Sequence, residues 1–167
     1  MKKQLNYWIV SIIMVMMMGF TACGDDEDPE PQEMKTTYAL APVSNPAISG
    51  KVTFTKLDAT STLVTIELIG TTAGNTHPAH IHANSASEGG SVVIGFNPVD
   101  GATGKSETTV TQLNDGTPIT YEGLLEFDGY VNVHLSPAEI SIFIAQGNIG
   151  SNSGSNGNGG NGGNGGY

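Results

Sequence analysis

The sequence predicts an all-β domain, an antiparallel sandwich or barrel of about seven or eight strands. Three observations carry that prediction. Between positions 50 and 147, apolar and polar residues alternate in short runs, the period of two expected of half-buried strands. That region holds no convincing three-and-four spacing of an amphipathic helix. Clusters of Gly, Asn, Asp and Pro separate the runs at hairpin-like intervals.

Along the chain, "GKVTFTKL" (50–57) places Val52 and Phe54 on one face. "TLVTIELIG" (62–70) sets Val64, Ile66 and Leu68 against Thr65 and Glu67. In "AHIHA" (79–83), Ala79, Ile81 and Ala83 share one face and His80 and His82 the other. "SVVIGF" (91–96), "KSETTVTQL" (105–113), "YEGLLEF" (121–127), "GYVNVHL" (129–135) and "EISIFIAQG" (139–147) complete the series, with turns such as "NPVDGATG" and "NDGTP" between them. Few charges interrupt these runs, so one domain over residues 36–150 can enclose a modest core.

The two ends read differently. Lys2 and Lys3 precede an almost unbroken apolar run from Tyr7 to Phe20, followed by Thr21, Ala22 and Cys23. That order predicts a secretory signal peptide over residues 1–22, with an apolar core short for a membrane span. "FTAC" resembles a bacterial lipobox, which implies that Cys23 becomes the lipidated first residue of the mature chain, carrying diacylglycerol and a palmitate-like acyl group. Cys23 is the single cysteine, so no disulfide competes for it. Each buried methylene contributes about 0.8 kcal/mol, so several acyl chains hold a small domain on a membrane almost permanently.

Six of the sixteen acidic residues fall between Asp25 and Glu33, in "GDDEDPEPQE", without an apolar residue among them. Residues 23–35 are therefore expected to form an extended tether. The segment also resembles the acidic export signal of some Gram-negative lipoproteins, which implies an outer-membrane position facing the exterior; a periplasm-facing position is the alternative. At the other end, "SNSGSNGNGGNGGNGGY" (151–167) offers no apolar face, and a disordered tail is expected.

The net charge is −10, and removal of Lys2 and Lys3 with the signal peptide leaves four lysines against sixteen acids. Such a surface repels phosphates, so nucleic acid is excluded as a partner. The membrane, through the lipid, is the expected attachment. A protein or extracellular-matrix partner is compatible with the module, though its identity does not follow from the fold.

The four histidines carry the chemistry. His77, His80 and His82 lie within "HPAHIHA", and His134 lies in "GYVNVHL". The alternation directs His80, His82 and His134 away from the apolar face of their strands. Two imidazoles two residues apart on a strand stand about 7 Å apart along one face, close enough to share an ion. A third from a neighbouring strand would complete a three-nitrogen site suited to copper or zinc. His77 is a weaker fourth candidate, because Pro78 breaks the strand and its parity is wrong. Glu88 is a candidate oxygen donor on an adjacent loop.

Two resemblances follow from these motifs. "HPAHIHANSASEGGSVVIGF" together with "GYVNVHLSPAEISIFIAQGNI" is similar to the CHRD domain, a module named for chordin and found in bacterial secreted proteins. The Tyr-Val-Asn-Val-His element is its more specific part. Where the family ends in Gly-Glu-Ile-Arg-Gly, this chain has "AEISIFIAQG", without the arginine. A more distant resemblance is to the copper/zinc superoxide dismutases, which implies an immunoglobulin-like Greek-key arrangement. His80 and His82 match a copper-binding His-x-His, and His134 matches a late copper histidine. Gly95, in "GFNP", stands where that family has its bridging histidine. No zinc-binding set is recognisable, and the chain has no arginine to guide superoxide.

Three readings remain open at this level. The first is a binding module, more a binder than an enzyme, holding copper or zinc at His80, His82 and His134. The second is a degenerate superoxide dismutase-like copper redox enzyme. The third is a structural or adhesive module without metal. No catalytic residues are assigned. No thiol beyond Cys23 and no Gly-x-Ser-x-Gly elbow supports other chemistries. "GATGKSE" (101–107) fails as a phosphate loop because Val99 stands where its first glycine belongs.

Overall fold

The computed structural model describes residues 33–155. The expected signal peptide, Cys23, most of the acidic tether and residues 156–167 of the tail lie outside the described residues. The strands are β1 (Lys35–Pro42), β2 (Ser49–Lys56), β3 (Thr62–Ile69), β4 (Thr76–His77), β5 (Ala79–Ala83), β6 (Val92–Gly95), β7 (Val99–Asp100), β8 (Lys105–Val110), β9 (Asp128–His134) and β10 (Phe143–Gly150). One short helix, α1 (Tyr121–Glu126), precedes β9.

All ten strands join one curled antiparallel sheet, a half-barrel, in the order β4-β7-β8-β3-β2-β1-β10-β9-β5-β6. The all-β antiparallel expectation holds. Eight strands have four residues or more, and β4 and β7 are two-residue pairings.

The predicted alternation sets the inner face. Val52, Phe54, Val64 and Ile66 are buried from one half of the sheet; Ala79, Ile81, Val131 and Val133 are buried from the other. Each such Val, Ile or Phe side chain contributes roughly 1.5–3 kcal/mol on leaving water. On the outer face Glu67 lies between Lys51 and Lys105, with N–O distances of 2.9 Å to both. This holds its carboxyl down at about 2. Register explains the triplet, since Lys51 and Lys105 are the direct cross-strand partners of Glu67.

The two halves meet at β1. Its residues Lys35 to Leu40 pair with β2, and its last two, Ala41 and Pro42, pair with Gln146 and Ala145 of β10. A close backbone approach at this seam requires Gly147: a Cβ there would stand 2.1 Å from the carbonyl oxygen of Ala39.

Three local expectations are corrected. "YEGLLEF" forms α1 rather than a strand. Thr120 caps it by accepting a hydrogen bond from the amide of Gly123 at 3.2 Å, and Tyr121 and Leu124 are buried three apart. The run at 139–147 starts its strand only at Phe143, since Glu139 and Ile142 are held in turns. Finally, β1 is not among the predicted strands, because only Tyr38 and Leu40 carry its buried alternation.

Candidate metal centre

The site is built on two neighbouring antiparallel strands. β5 and β9 pair in the register Ala79–Val133, His80–Asn132, Ile81–Val131 and His82–Tyr130. Ile81, Val131 and Val133 fill the core, so His80, His82, Tyr130, Asn132 and His134 share the opposite face. The structure thus brings His134 beside His80 and His82, as strand parity requires. Each of the three offers a ring nitrogen, and these nitrogens lie within 4.8 Å of one another. Among the described residues no other group of His, Cys, Asp or Glu side chains converges this closely.

That face is not open everywhere. His80 and His82 are half-buried, but His134 is only 4 % exposed and Asn132 only 1 %. The chain after β9 folds back over it: the amide of Leu135 donates to the Ile142 carbonyl at 2.8 Å, and His134 Nδ1–H donates to the carbonyl of Ile140. Phe143 packs edge-on against the His134 ring, with centroids 5.1 Å apart. The expectation that all three imidazoles lie on an outer sheet face is therefore refined. The parity is as expected, but the 136–142 segment roofs the far end.

Hydrogen bonds orient the rings. His82 Nδ1–H donates to the carbonyl of Gly90 at 2.9 Å, and Tyr130 stacks on the His82 ring at 5.0 Å. His82 Nε2 is buried and has no hydrogen-bond partner among the described residues. His80 Nδ1 lies 3.0 Å from His134 Nε2. Backbone carbonyls thus fix two tautomers, the arrangement that orients metal-ligating histidines. For comparison, nitrogens sharing one ion at about 2.05 Å in tetrahedral geometry lie about 3.3 Å apart.

His77 lies apart from this cluster. It is 1 % exposed, and its Nδ1–H donates to the Leu135 carbonyl at 2.8 Å, with the His134 carbonyl at 3.2 Å. The His134 amide donates to Pro78 at 2.8 Å, so residues 77–78 grip the backbone on both sides of His134. Glu88 is engaged by its own loop, accepting from Ser85 Oγ at 2.6 Å and the Ser85 amide at 3.1 Å. Gly95 faces His80 across β5–β6, and a Cβ there would approach only His80 Cδ2, at 4.0 Å. Residues missed from sequence include Ile140, which acts through its backbone carbonyl and leaves no compositional signal. Gln146 is another, donating to Asn132 Oδ1 at 2.6 Å.

Burial is the chief cause that holds His80 below the ordinary imidazole range, with the neighbouring His134 and His82 adding to it. Burial likewise depresses His134, partly opposed by the Ile140 carbonyl and reinforced by His82. Lowered folded values mean that the unfolded chain takes up protons first as pH falls below about 6.5. The stability these groups contribute is complete above that pH and is lost as pH falls through their folded values. Thermal unfolding of the metal-free protein between pH 8 and 5 should therefore give a falling melting temperature. A rise over that interval would contradict the assignment.

With this geometry defined, the comparison with known families becomes decisive. The family model described as the CHRD domain matches residues 19–137, more than two thirds of the chain. The chain belongs to the CHRD-domain family. The match includes all four histidines of this CHRD domain and stops before β10, although β10 lies in the interior of the strand order. No curated protein and no solved structure gives a significant match.

Proposed function

We propose that this CHRD domain is a lipid-tethered binding module, displayed at the outer membrane and facing the exterior, that holds one copper or zinc ion through His80, His82 and His134. The observation that carries the metal reading is the convergence of three ring nitrogens within 4.8 Å, one of them on a buried imidazole. The donor chemistry fits: neutral imidazoles suit both ions, and copper(II) has the higher intrinsic affinity. Three protein ligands leave room for an exchangeable position on a bound ion. The domain's own residues hold the ligands in fixed tautomers and cover the His134 end from solvent. The anchor reading is supported by sequence alone, through the apolar run before Cys23 and the acidic segment after it.

The test uses the full chain purified in detergent from the membrane fraction. Elemental analysis after copper or zinc loading is expected to give one ion per chain, and protease treatment of intact cells is expected to cleave it. Absence of stoichiometric metal would leave a hydrogen-bonded structural module. Complete protection on intact cells, with cleavage after lysis, would turn the domain to face the periplasm.

A further inference from the structure

In the half of the sheet that carries no histidine cluster, the Lys51–Glu67–Lys105 row lines an open pocket of about 400 Å³. Leu68, Ile69 and Thr103 line it as well. Each lysine donates to a different oxygen of Glu67, at 2.9 Å. An ammonium carries three hydrogens, so each lysine keeps two donors for solvent, and both side chains are more than half exposed. Ile69 follows Glu67 by two residues on β3 and so shares its face, about 7 Å further along. It is 68 % exposed, more than any other large apolar residue among the described residues. Two positive charges against one negative, beside a bare isoleucine, are out of keeping with a chain of net charge −10. Two further acids lie close in register without cancelling them. Asp100 is engaged in its own turn, accepting from the amides of Ala102 and Thr103 and from Thr103 Oγ1. Glu107 stands two residues along β8, on the side away from Ile69.

We propose that this pocket binds an aliphatic monocarboxylate, either a free small acid or the C-terminal residue of a peptide. The ligand carboxylate bridges Lys51 and Lys105 from the side opposite Glu67, one oxygen to each ammonium. That repeats the pattern the two lysines already form with Glu67. The aliphatic group of the ligand lies on Ile69 and removes its exposed surface from water. A dianion is disfavoured, because Glu67 stays between the lysines and only one net positive charge faces the ligand. Lys105 is held above its ordinary range, chiefly by its hydrogen bond to Glu67, so it stays charged at neutral pH. The pocket is carried by β2, β3 and the start of β8, whereas the clustered histidines lie on β5 and β9. The site therefore does not depend on the metal reading.

The test is nitrogen-15 NMR of the full chain, without metal, in a non-ionic detergent, titrated with N-acetyl-leucine. The amides of Lys51, Ile69 and Lys105 are expected to shift together and saturate with a dissociation constant on the order of 1 mM, as suits a small ligand in an open pocket. N-acetyl-leucinamide lacks the charge and N-acetylglycine lacks the side chain, and each is expected to bind ~10-fold more weakly or worse. Lys51→Gln combined with Lys105→Gln is expected to weaken N-acetyl-leucine by a similar factor. The fold should persist in that variant, because exposed ion pairs contribute little to stability. A Gly-Gly-Gly-Leu peptide with a free C-terminus identifies the source of the ligand. Tighter binding of the peptide assigns the site to chain ends, and tighter binding of N-acetyl-leucine assigns it to free acids. Equal affinity for the acid and its amide, or for N-acetyl-leucine and N-acetylglycine, would overturn the proposal. So would unchanged affinity in the folded double variant.

Discussion

His134→Ala is expected to abolish copper or zinc binding in the full chain, lowering affinity by more than the roughly 10–100-fold that loss of an outer-shell partner costs. Its imidazole would be both a ligand and a wedge, since it packs on Phe143 and ties down the 136–142 segment through Ile140. The same substitution should therefore also destabilise the metal-free domain. His82→Ala separates the two effects. His82 is less buried and its single hydrogen bond goes to a loop carbonyl, so binding should vanish with a smaller loss of stability. Titration calorimetry with copper, paired with thermal unfolding of each metal-free variant, reads both quantities. Wild-type affinity in a folded His82→Ala or His134→Ala protein would rule out the ligand assignment.

The second large effect lies at the seam. Gly147→Ala is expected to destabilise the domain by about 3 kcal/mol or more, because the added carbon meets the Ala39 carbonyl oxygen at 2.1 Å and backbone on both sides must move. Against a total stability of about 5–15 kcal/mol, that is a substantial share. Gly74→Ala is the control. Gly74 has φ of 89° but nothing within 4 Å, so it tests backbone strain without collision. It should cost about 1–2 kcal/mol. Urea denaturation compares the two, and an unchanged midpoint for Gly147→Ala would show that the seam can yield without loss.

What the sequence disclosed divides along a physical line. Alternation is local and is written directly in the residues, so β2, β3, β5 and β9 fall close to their predicted spans, and the shared face of His80, His82 and His134 follows from parity. Features set by neighbours were hidden. Nothing in "YEGLLEF" outweighs a strand reading until Thr120 is seen capping a turn. The burial of His134 depends on a return of the chain that a period-two pattern does not describe. The engagement of His77 with the Leu135 carbonyl joins positions nearly sixty residues apart and has no sequence signature. The expectations for Cys23 and its surroundings rest on the sequence alone, since these residues lie outside the described ones.

Joining Ala41 to Gln146 also constrains the order in which the protein can be made. A chain that emerges with its N-terminus leading presents the first half of its sheet long before the closing strand arrives. Until β10 has emerged, β1 and β9 each keep an unpartnered border able to recruit a stranger. Contacts so remote in sequence are slow to form. Folding of this small domain from its N-terminus therefore passes through an interval of vulnerability, in which a holding chaperone would be of most use, and which ends only when the last strand slots between two that have been waiting for it.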